Sequence, residues 1–308
     1  MSPILECINL CKSFGGLKAL QDINLRIETP TSVGLVGPNG AGKTTLFSLF
    51  CGFLRPTSGT LNILLFSPDS TSIKGKIGIL PQDIPMLRGI AVLEQLTLFA
   101  KLQGYRKHNA KQEIERIINL VNIEALIKQF PETLSYGQRK KVALAQALIG
   151  KPEIILLDEP TSGLDPVAAN DVRSIIQQTR GNHTYVISSH NLEEIKNVCD
   201  EIIIIDKGKL VRHCPINELI DRNNVFTLLL DQIPADSLIQ SLKSISSINR
   251  IESDTKNTKR ISIYFNDQNP DQFQYKILEC LQKNGTGIVE FSRGSAFADR
   301  VVELVSKQ

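Results

Sequence analysis

The residues with the clearest chemical potential form one glycine-rich segment, Gly37-Pro38-Asn39-Gly40-Ala41-Gly42-Lys43-Thr44. It fits the pattern GxxxxGK[ST], follows an apolar run and precedes a stretch of helical character. Glycines let the backbone curl so that several N–H groups converge on a phosphate, and the following helix N-terminus adds partial positive charge. Lys43 is expected to reach the β and γ phosphates, and the Thr44 hydroxyl to bind Mg²⁺. A simple glycine turn between strand and helix is the alternative.

A pair of acids, Asp158 and Glu159, ends the apolar run that begins at Ile154. A buried parallel strand delivers its last residue to the sheet edge at which ligands bind. Asp158 is therefore expected to hold Mg²⁺, directly or through water. Side chains alternate along a strand, so Glu159 points elsewhere and is free to act as general base on an attacking water. Taken alone, such a pair is more often a solvated strand end.

Four more segments occur in the chain between and after the glycine-rich segment and the acid pair. Gln82 comes after the apolar run 77–80, and Leu134-Ser135-Tyr136-Gly137-Gln138 opens a stretch of helical spacing in which Ser135 suits the N-cap. Ser162-Gly163-Leu164-Asp165 follows the acid pair, and His190 ends the run that starts at Thr184. With the glycine-rich segment, these elements resemble, in kind and order, the ATP-binding subunits of ABC transporters. The resemblance covers residues 1 to about 215.

This resemblance implies a set of nucleotide contacts within one chain. The glycine-rich loop, extended by Thr45, would bind ATP, and Phe14 would stack on the adenine ring. Gln82 would contact both Mg²⁺ and the attacking water, and His190 would contact the γ-phosphate. For Phe14, a place in the hydrophobic core is the alternative.

The resemblance also implies contacts from a second chain. In the family, the segment corresponding to 134–138 approaches the phosphates across a head-to-tail dimer, which assigns Ser135, Gly137, Gln138 and Asp165 to the partner's ATP. The commonest family signature is LSGGQ, whereas this chain carries Tyr136 at the third position. Because Ser135 and Gly137 are kept, Tyr136 is expected to alter packing without abolishing function.

Composition limits the classes of protein to which this chain can belong. A chain of 308 residues with 42% hydrophobic residues can bury a substantial core, and a formal net charge of +3 is too weakly basic to suggest nucleic acid as a partner. No apolar run approaches the ~18 residues of a transmembrane helix, and the N-terminus does not have the pattern of a secretory signal. The six cysteines lack CxxC spacing, which indicates free thiols.

The hydrophobic pattern predicts an α/β fold, and the resemblance implies that residues 1–215 form a P-loop NTPase domain of the ABC nucleotide-binding type. Apolar runs alternate there with amphipathic stretches, which is typical of a parallel sheet with helical crossovers. Residues from about 84 to 134 form a helical insert, because Ile114, Ile117, Ile118 and Val121 recur at helical spacing.

A linker over 216–224 and a C-terminal accessory domain over 225–308 are expected to follow. The domain reads strand, helix, strand, strand, helix, strand, which is the ferredoxin-like α+β order. A closing helix should place Phe297, Val301, Leu304 and Val305 on one side.

Three functions are compatible with these observations. The accessory tail resembles that of the type-2 exporter branch, which favours an ATPase that binds ATP and Mg²⁺, dimerises, and docks on a separate integral membrane permease at the cytoplasmic face of the inner membrane. Another kind of transporter ATPase is the second possibility. A soluble ABC ATPase acting on ribosomes or DNA is the third, although such proteins usually carry two ATPase domains or a long coiled coil.

Overall fold

The chain folds as two compact units. The computed structural model describes residues 3–28, 30–219, 225–254, 257–266, 270–293, 301–302 and 304–305. The units comprise Met1–Ile216 and Asn217–Gln308. The domain limits drawn from the sequence stay a prediction, and residues 220–224 of the expected linker lie outside the described residues.

In its described residues the first unit contains nine strands and six α-helices, and a short seventh α-helix follows them. The strands are β1 (Leu5–Phe14), β2 (Leu17–Ile27), β3 (Ser32–Val36), β4 (Ser58–Ile63), β5 (Ile77–Leu80), β6 (Ile154–Asp158), β7 (Thr184–Ser188), β8 (Glu201–Asp206) and β9 (Lys209–Pro215). The helices are α1 (Lys43–Phe50), α2 (Val92–Leu102), α3 (Lys107–Val121), α4 (Tyr136–Leu148), α5 (Pro166–Thr179), α6 (Leu192–Val198) and α7 (Ile216–Leu219). Within the described ranges, no helix has the length and apolar character that crossing a membrane requires.

A six-stranded sheet with the order β5-β6-β7-β3-β8-β9 forms the centre of this unit. Its first five strands pair in parallel, and β9 closes the edge in the antiparallel direction. Helices cover both faces of such sheets, so their strands are apolar on both sides. Every residue of β3, β6 and β7 is buried accordingly. The predicted α/β fold is confirmed, and the parallel strands end at one common edge.

A second, antiparallel sheet with the order β2-β1-β4 was not anticipated from the alternation of strands and helices. It packs on the same core as α1, through apolar residues such as Leu10, Ile23 and Phe50. Its pairings are irregular near the end of β1, where Phe14 pairs with Leu17. This sheet brings Phe14 to the edge of the unit at which the phosphate loop lies.

The segment expected to be a helical insert contains α2 and α3. Ile114, Ile117 and Val121 are buried on one side of α3, as their spacing predicted. The next helix, α4, starts with a reciprocal capping box: the Ser135 hydroxyl accepts from the Gln138 N–H at 3.2 Å, and the Ser135 N–H donates to Gln138 Oε1 at 2.9 Å. Such a cap fixes the helix start and contributes about 1 kcal/mol.

The second unit has the predicted ferredoxin-like topology. Its elements are β10 (Val225–Leu230), α8 (Asp236–Lys243), β11 (Ile248–Ser253), β12 (Arg260–Phe265), α9 (Pro270–Lys283) and β13 (Ile288–Arg293). The sheet order is β11-β12-β10-β13, and its neighbours are antiparallel. An aromatic core holds it together, since the Phe226 ring stacks on Phe265 at 4.6 Å between centroids. Of the expected closing helix, Phe297 lies outside the described residues, and Val301, Leu304 and Val305 are helical.

Candidate functional site

Twelve of the residues selected from the sequence meet in one open cleft of about 890 Å³ at the carboxyl edge of the parallel sheet. A volume of this size is typical of sites for small ligands. The twelve are Phe14, Asn39, Gly40, Ala41, Gly42, Lys43, Thr44, Thr45, Gln82, Asp158, Glu159 and His190. They come from both sheets and from loops far apart in the chain, so the fold assembles the site.

The phosphate loop is shaped by glycines and closed by Lys43. Gly42, the N-cap of α1, is left-handed with φ 103°. A Cβ on Gly37 would lie 2.1 Å from the carbonyl oxygen of Ile205, so a larger residue would push the loop away from β8. The Lys43 ammonium donates to the carbonyl oxygens of Gly37 at 2.6 Å and Pro38 at 2.9 Å. The Lys43 side chain thus reaches across its own loop and pairs with the carbonyl oxygens at the start of the loop.

The loop has the electrostatics of an anion site. The first turn of α1 carries no acidic residue, and its leading N–H groups lack intrahelical acceptors by geometry. Burial lowers the pKa of Lys43, while the charges of Glu159 and Asp158 act in the opposite direction. Around Gly40 there is open space where a Cβ would project. A polyphosphate fits this cradle, because it would supply acceptors for the free N–H groups and a counter-charge for Lys43.

Oxygen ligands for a hard cation lie beside the cradle. Asp158 ends β6 with 9% of its surface exposed, and its carboxylate accepts a hydrogen bond from the Ser188 hydroxyl. Burial raises the pKa of Asp158. A cation bound nearby would oppose this effect and favour the ionised carboxylate. Thr44 and Gln82 line the same cleft. Among the described residues no group of three or more His, Cys, Asp or Glu side chains is arranged so that it could hold a metal ion by itself, whereas Mg²⁺ commonly needs only one or two carboxylates beside phosphate oxygens.

Glu159 is held in an unusual conformation with its carboxylate paired to His190. Its φ is 49°, in the left-handed region that residues other than glycine seldom adopt. Its N–H donates to the carbonyl oxygen of Ser188 at 3.0 Å. The carboxylate accepts from the His190 N–H at 3.0 Å and lies 2.8 Å from His190 Nδ1. Strain of this kind persists only where the surroundings over-determine it, and it is typical of functional sites.

A buried carboxylate ties the segments on either side of this pair together. Glu194 in α6 is 2% exposed and accepts from the Thr161 hydroxyl and from the Ser189 hydroxyl, each at 2.7 Å. Thr161 follows Glu159 closely in the chain, and Ser189 directly precedes His190. The two loops that carry Glu159 and His190 are therefore joined at their bases.

Phe14 is 47% exposed, so its alternative interpretation as a core residue is wrong. The Lys12 ammonium lies 5.0 Å from its ring centroid. The sequence reasoning missed Lys207 and Gly208, which also line the cleft. The Gly208 N–H donates to the carbonyl oxygen of Ala41 at 2.9 Å, which braces the phosphate loop. The usable signal was an Asp-Lys-Gly turn directly after the apolar strand β8.

The residues assigned to a second chain lie apart from this cleft within the described structure. Ser135 and Gln138 form the cap of α4, and Gly137 lies where a Cβ would come 3.3 Å from the Ala168 side chain. Asp165 caps α5 by accepting from the N–H groups of Val167 and Ala168, each at 3.0 Å. Ser135 Oγ accepts one hydrogen bond, and its own O–H can still donate.

The chain is similar to known proteins in sequence and in fold. Residues 20–162 match the family model described as ABC transporter. The chain is 33% identical over 230 residues to the bacitracin transport ATP-binding protein BcrA of Bacillus licheniformis, covering 73% of this chain and 74% of that one. It is 33% identical over 236 residues to the lipopolysaccharide export system ATP-binding protein LptB of Escherichia coli (strain K12), covering 74% and 97%.

A solved structure shares the fold of the first unit. It is cbiO1 from Clostridium perfringens, described as part of the ABC transporter complex cbiONQ, with a TM-score of 0.65 and 27% identity over 71% of this chain and 91% of that one. Together with the phosphate loop and the paired acids of the cleft, these likenesses show that the chain belongs to the ABC transporter family, as one of its ATP-binding, ATP-hydrolysing subunits.

Proposed function

We propose that this subunit drives export through a separate integral membrane permease, by hydrolysing ATP at sites shared between two head-to-tail chains. The observation that carries the proposal is the division of the family's site residues in space. One set lines a single cleft, and the other set lies on the starts of α4 and α5, away from it. Each chain therefore holds two different halves of an ATP site.

Binding is assigned to the phosphate loop and Phe14. The loop N–H groups and the start of α1 face the phosphates, and Lys43 exchanges its bonds to Gly37 and Pro38 for phosphate oxygens. The half-exposed ring of Phe14 offers a flat apolar surface for adenine. Because both elements belong to the first unit, ATP binding is assigned to that unit.

Thr44, Gln82 and Asp158 are proposed to hold Mg²⁺, which neutralises the charge that develops on the phosphates. All three offer oxygen atoms, the ligands that this ion prefers. The hydrogen bond from Ser188 orients the Asp158 carboxylate and leaves its other oxygen available.

Hydrolysis is assigned to Glu159 as the general base, with His190 and Gln82 beside it. The Glu159 carboxylate lies in the cleft with 14% of the side chain exposed, and it can accept the proton of a water that attacks the γ-phosphate. His190 fixes that carboxylate through two contacts and exposes 66% of its own side chain, from which it can reach the γ-phosphate. Gln82 can orient the same water.

The second half of each site is assigned to the partner chain. The free O–H of Ser135, the backbone N–H groups of the first turn, including that of the half-buried Gly137, and the N-terminal dipole of α4 favour an anion. Gln138 supports this turn through the capping box, and Asp165 holds the neighbouring loop. Two ATP molecules would then join two chains, and either chain alone would have incomplete sites.

The permease docking surface is assigned to an apolar groove of about 280 Å³ next to Gln82. Phe53 lines it with 65% of its surface exposed, and Pro81 and Ile84, which flank the Gln82-Asp83 step, line it as well. Gln103 Oε1 and Gln146 Nε2 lie at this groove without a hydrogen-bond partner. A helix of the permease would cover the apolar surface and could satisfy these atoms. Movement of the segment around Gln82 would then link the permease to the ATP site.

Export is the favoured direction, and the cytoplasmic face of the membrane is the proposed location. Similar proteins are named for bacitracin transport, linearmycin resistance and lipopolysaccharide export. The ATP supply and the apolar groove both suit a peripheral subunit that faces the cytoplasm. No observation on the described residues favours the ribosome or DNA alternative.

Lys43→Ala should weaken ATP binding by at least about tenfold, because it removes the cation that pairs with the phosphates. Lys74→Ala is the matched control, since Lys74 is exposed and lies outside the cleft. Titration with a fluorescent ATP analogue measures both. Unchanged affinity in Lys43→Ala would show that the phosphate loop is assigned wrongly.

Glu159→Gln should bind ATP but hydrolyse it about 10²–10⁴-fold more slowly, because the amide cannot accept a proton. The uncleaved ATP should hold the chain as a dimer on size-exclusion chromatography with Mg²⁺. Adding Ser135→Arg should return it to monomers, because a bulky cation then replaces the cap of α4. Hydrolysis by Glu159→Gln at the wild-type rate would remove Glu159 as the base.

The chain should recover with membranes only when its permease is present, and Phe53→Asp should release it to the soluble fraction. A charge in the groove opposes apolar docking but leaves the ATP cleft intact. Leu65→Asp provides the control, since Leu65 is 59% exposed and lies elsewhere. Equal membrane recovery with and without the permease would contradict the docking assignment.

A further inference from the structure

Lys140 is a fully buried lysine that the proposed mechanism does not use. It lies in α4 with 1% of its surface exposed, and its ammonium donates to the carbonyl oxygen of Glu159 at 2.9 Å. Burial lowers the pKa of Lys140, and the charges of Asp158 and Glu159 oppose that effect. Burying an ammonium is costly, and replacing it by an apolar side chain of similar volume is often neutral for stability. Packing alone therefore does not explain a lysine here.

The bond from Lys140 falls on the strained peptide of the proposed base. The left-handed Glu159 is held on its N–H side by Ser188 and on its carbonyl side by two donors, Lys140 and the N–H of Ser162 at 3.3 Å. The direction of this carbonyl sets the ψ angle of Glu159, and that angle helps to aim the carboxylate. Of the two bonds to the carbonyl, the one from Lys140 is the shorter.

Tyr136 connects this lysine to the first turn of α4. Its ring centroid lies 6.0 Å from the Lys140 ammonium, and the two residues are one helical turn apart. The ring also lies close to Gly163, where a Cβ would come 3.2 Å from Tyr136 Cε1. Tyr136 stands between Ser135 and Gly137 and therefore contacts the helix start, the loop after Glu159, and Lys140.

We infer that Lys140 is a positioning residue for Glu159, and that Tyr136 and Lys140 couple the two ATP sites served by one chain. This inference rests on the proposed function. The start of α4 faces the nucleotide of the partner chain, and Glu159 acts on the nucleotide in its own cleft. A shift of the first turn of α4 moves the Tyr136 ring against Gly163 and Lys140, and it changes the aim of Glu159. Each chain then hydrolyses its own ATP efficiently when the partner's ATP is seated.

Steady-state kinetics of Lys140→Met test the positioning role. The variant keeps a side chain of similar length and should fold, bind ATP with unchanged affinity, and lose kcat on the order of tenfold, the effect of one missing hydrogen bond from a charged donor. Lys140→Arg should restore most of the rate. Lys141→Met is the matched control on the same helix, because Lys141 pairs with Asp171 and should keep the wild-type rate.

Combined variants separate the positioning role from a general loss of structure. Lys140→Met should add little to the slow hydrolysis of Glu159→Gln, since both act through the same carboxylate. Tyr136→Phe should behave as the wild type, and Tyr136→Ala should lower kcat in the wild-type chain but not in Lys140→Met. A wild-type kcat in Lys140→Met, or the same fold-loss in the Glu159→Gln background, would overturn the inference. If Glu159→Gln itself hydrolyses ATP at the normal rate, the proposed function fails instead.

Discussion

In-register pairing of five parallel strands is the constraint on which the site depends. Leu80 pairs with Leu157, Asp158 with Ser188, and Val36 with Ile204, so these strands end nearly level with one another. Burial on both faces of the sheet holds this register. The loops that follow the strands then bring the phosphate loop and the residues proposed as cation ligand and general base to one edge. A slip of one residue in β6 would exchange the directions of Asp158 and Glu159.

The same edge concentrates strain and buried charge. Glu159 has a left-handed backbone, Asp158 is a buried acid, and Lys140 is a buried cation that contacts the carbonyl of Glu159. Each of these features is unfavourable in isolation. The positive charges of Lys140 and Lys43 and the negative charges of Asp158 and Glu159 partly compensate one another. Such an arrangement responds to a new anion more than an apolar core does, because every added charge acts at low local dielectric. A γ-phosphate bound as proposed would therefore act on groups that are already charged and strained.

The features that depend on residues close together in the chain could be predicted from the sequence. The phosphate loop, the acid pair and the N-cap at Ser135 follow from residue types at short spacing, and the structure brings the first two into one cleft. The ferredoxin-like order of the second unit followed from alternating apolar runs. The antiparallel sheet of β1, β2 and β4 was not predicted. The pairing of β1 with β4 joins segments about 50 residues apart and leaves no local signal, whereas the Gly15-Gly16 turn between β1 and β2 was a local hairpin signal that went unused. The burial of Lys140 was not predicted, because a basic residue on a helix is expected to be exposed, and only the packing of the loop after Glu159 over it shows otherwise.

If each ATP is shared between two chains, crystals of Glu159→Gln grown with ATP and Mg²⁺ should show the nucleotide between them. Its γ-phosphate should be held by Lys43 of one chain and by the Ser135 hydroxyl and the Gly137 N–H of another. A γ-phosphate that contacts Lys43, Ser135 and Gly137 of the same chain, or that has no neighbour from a second chain, would contradict the shared site.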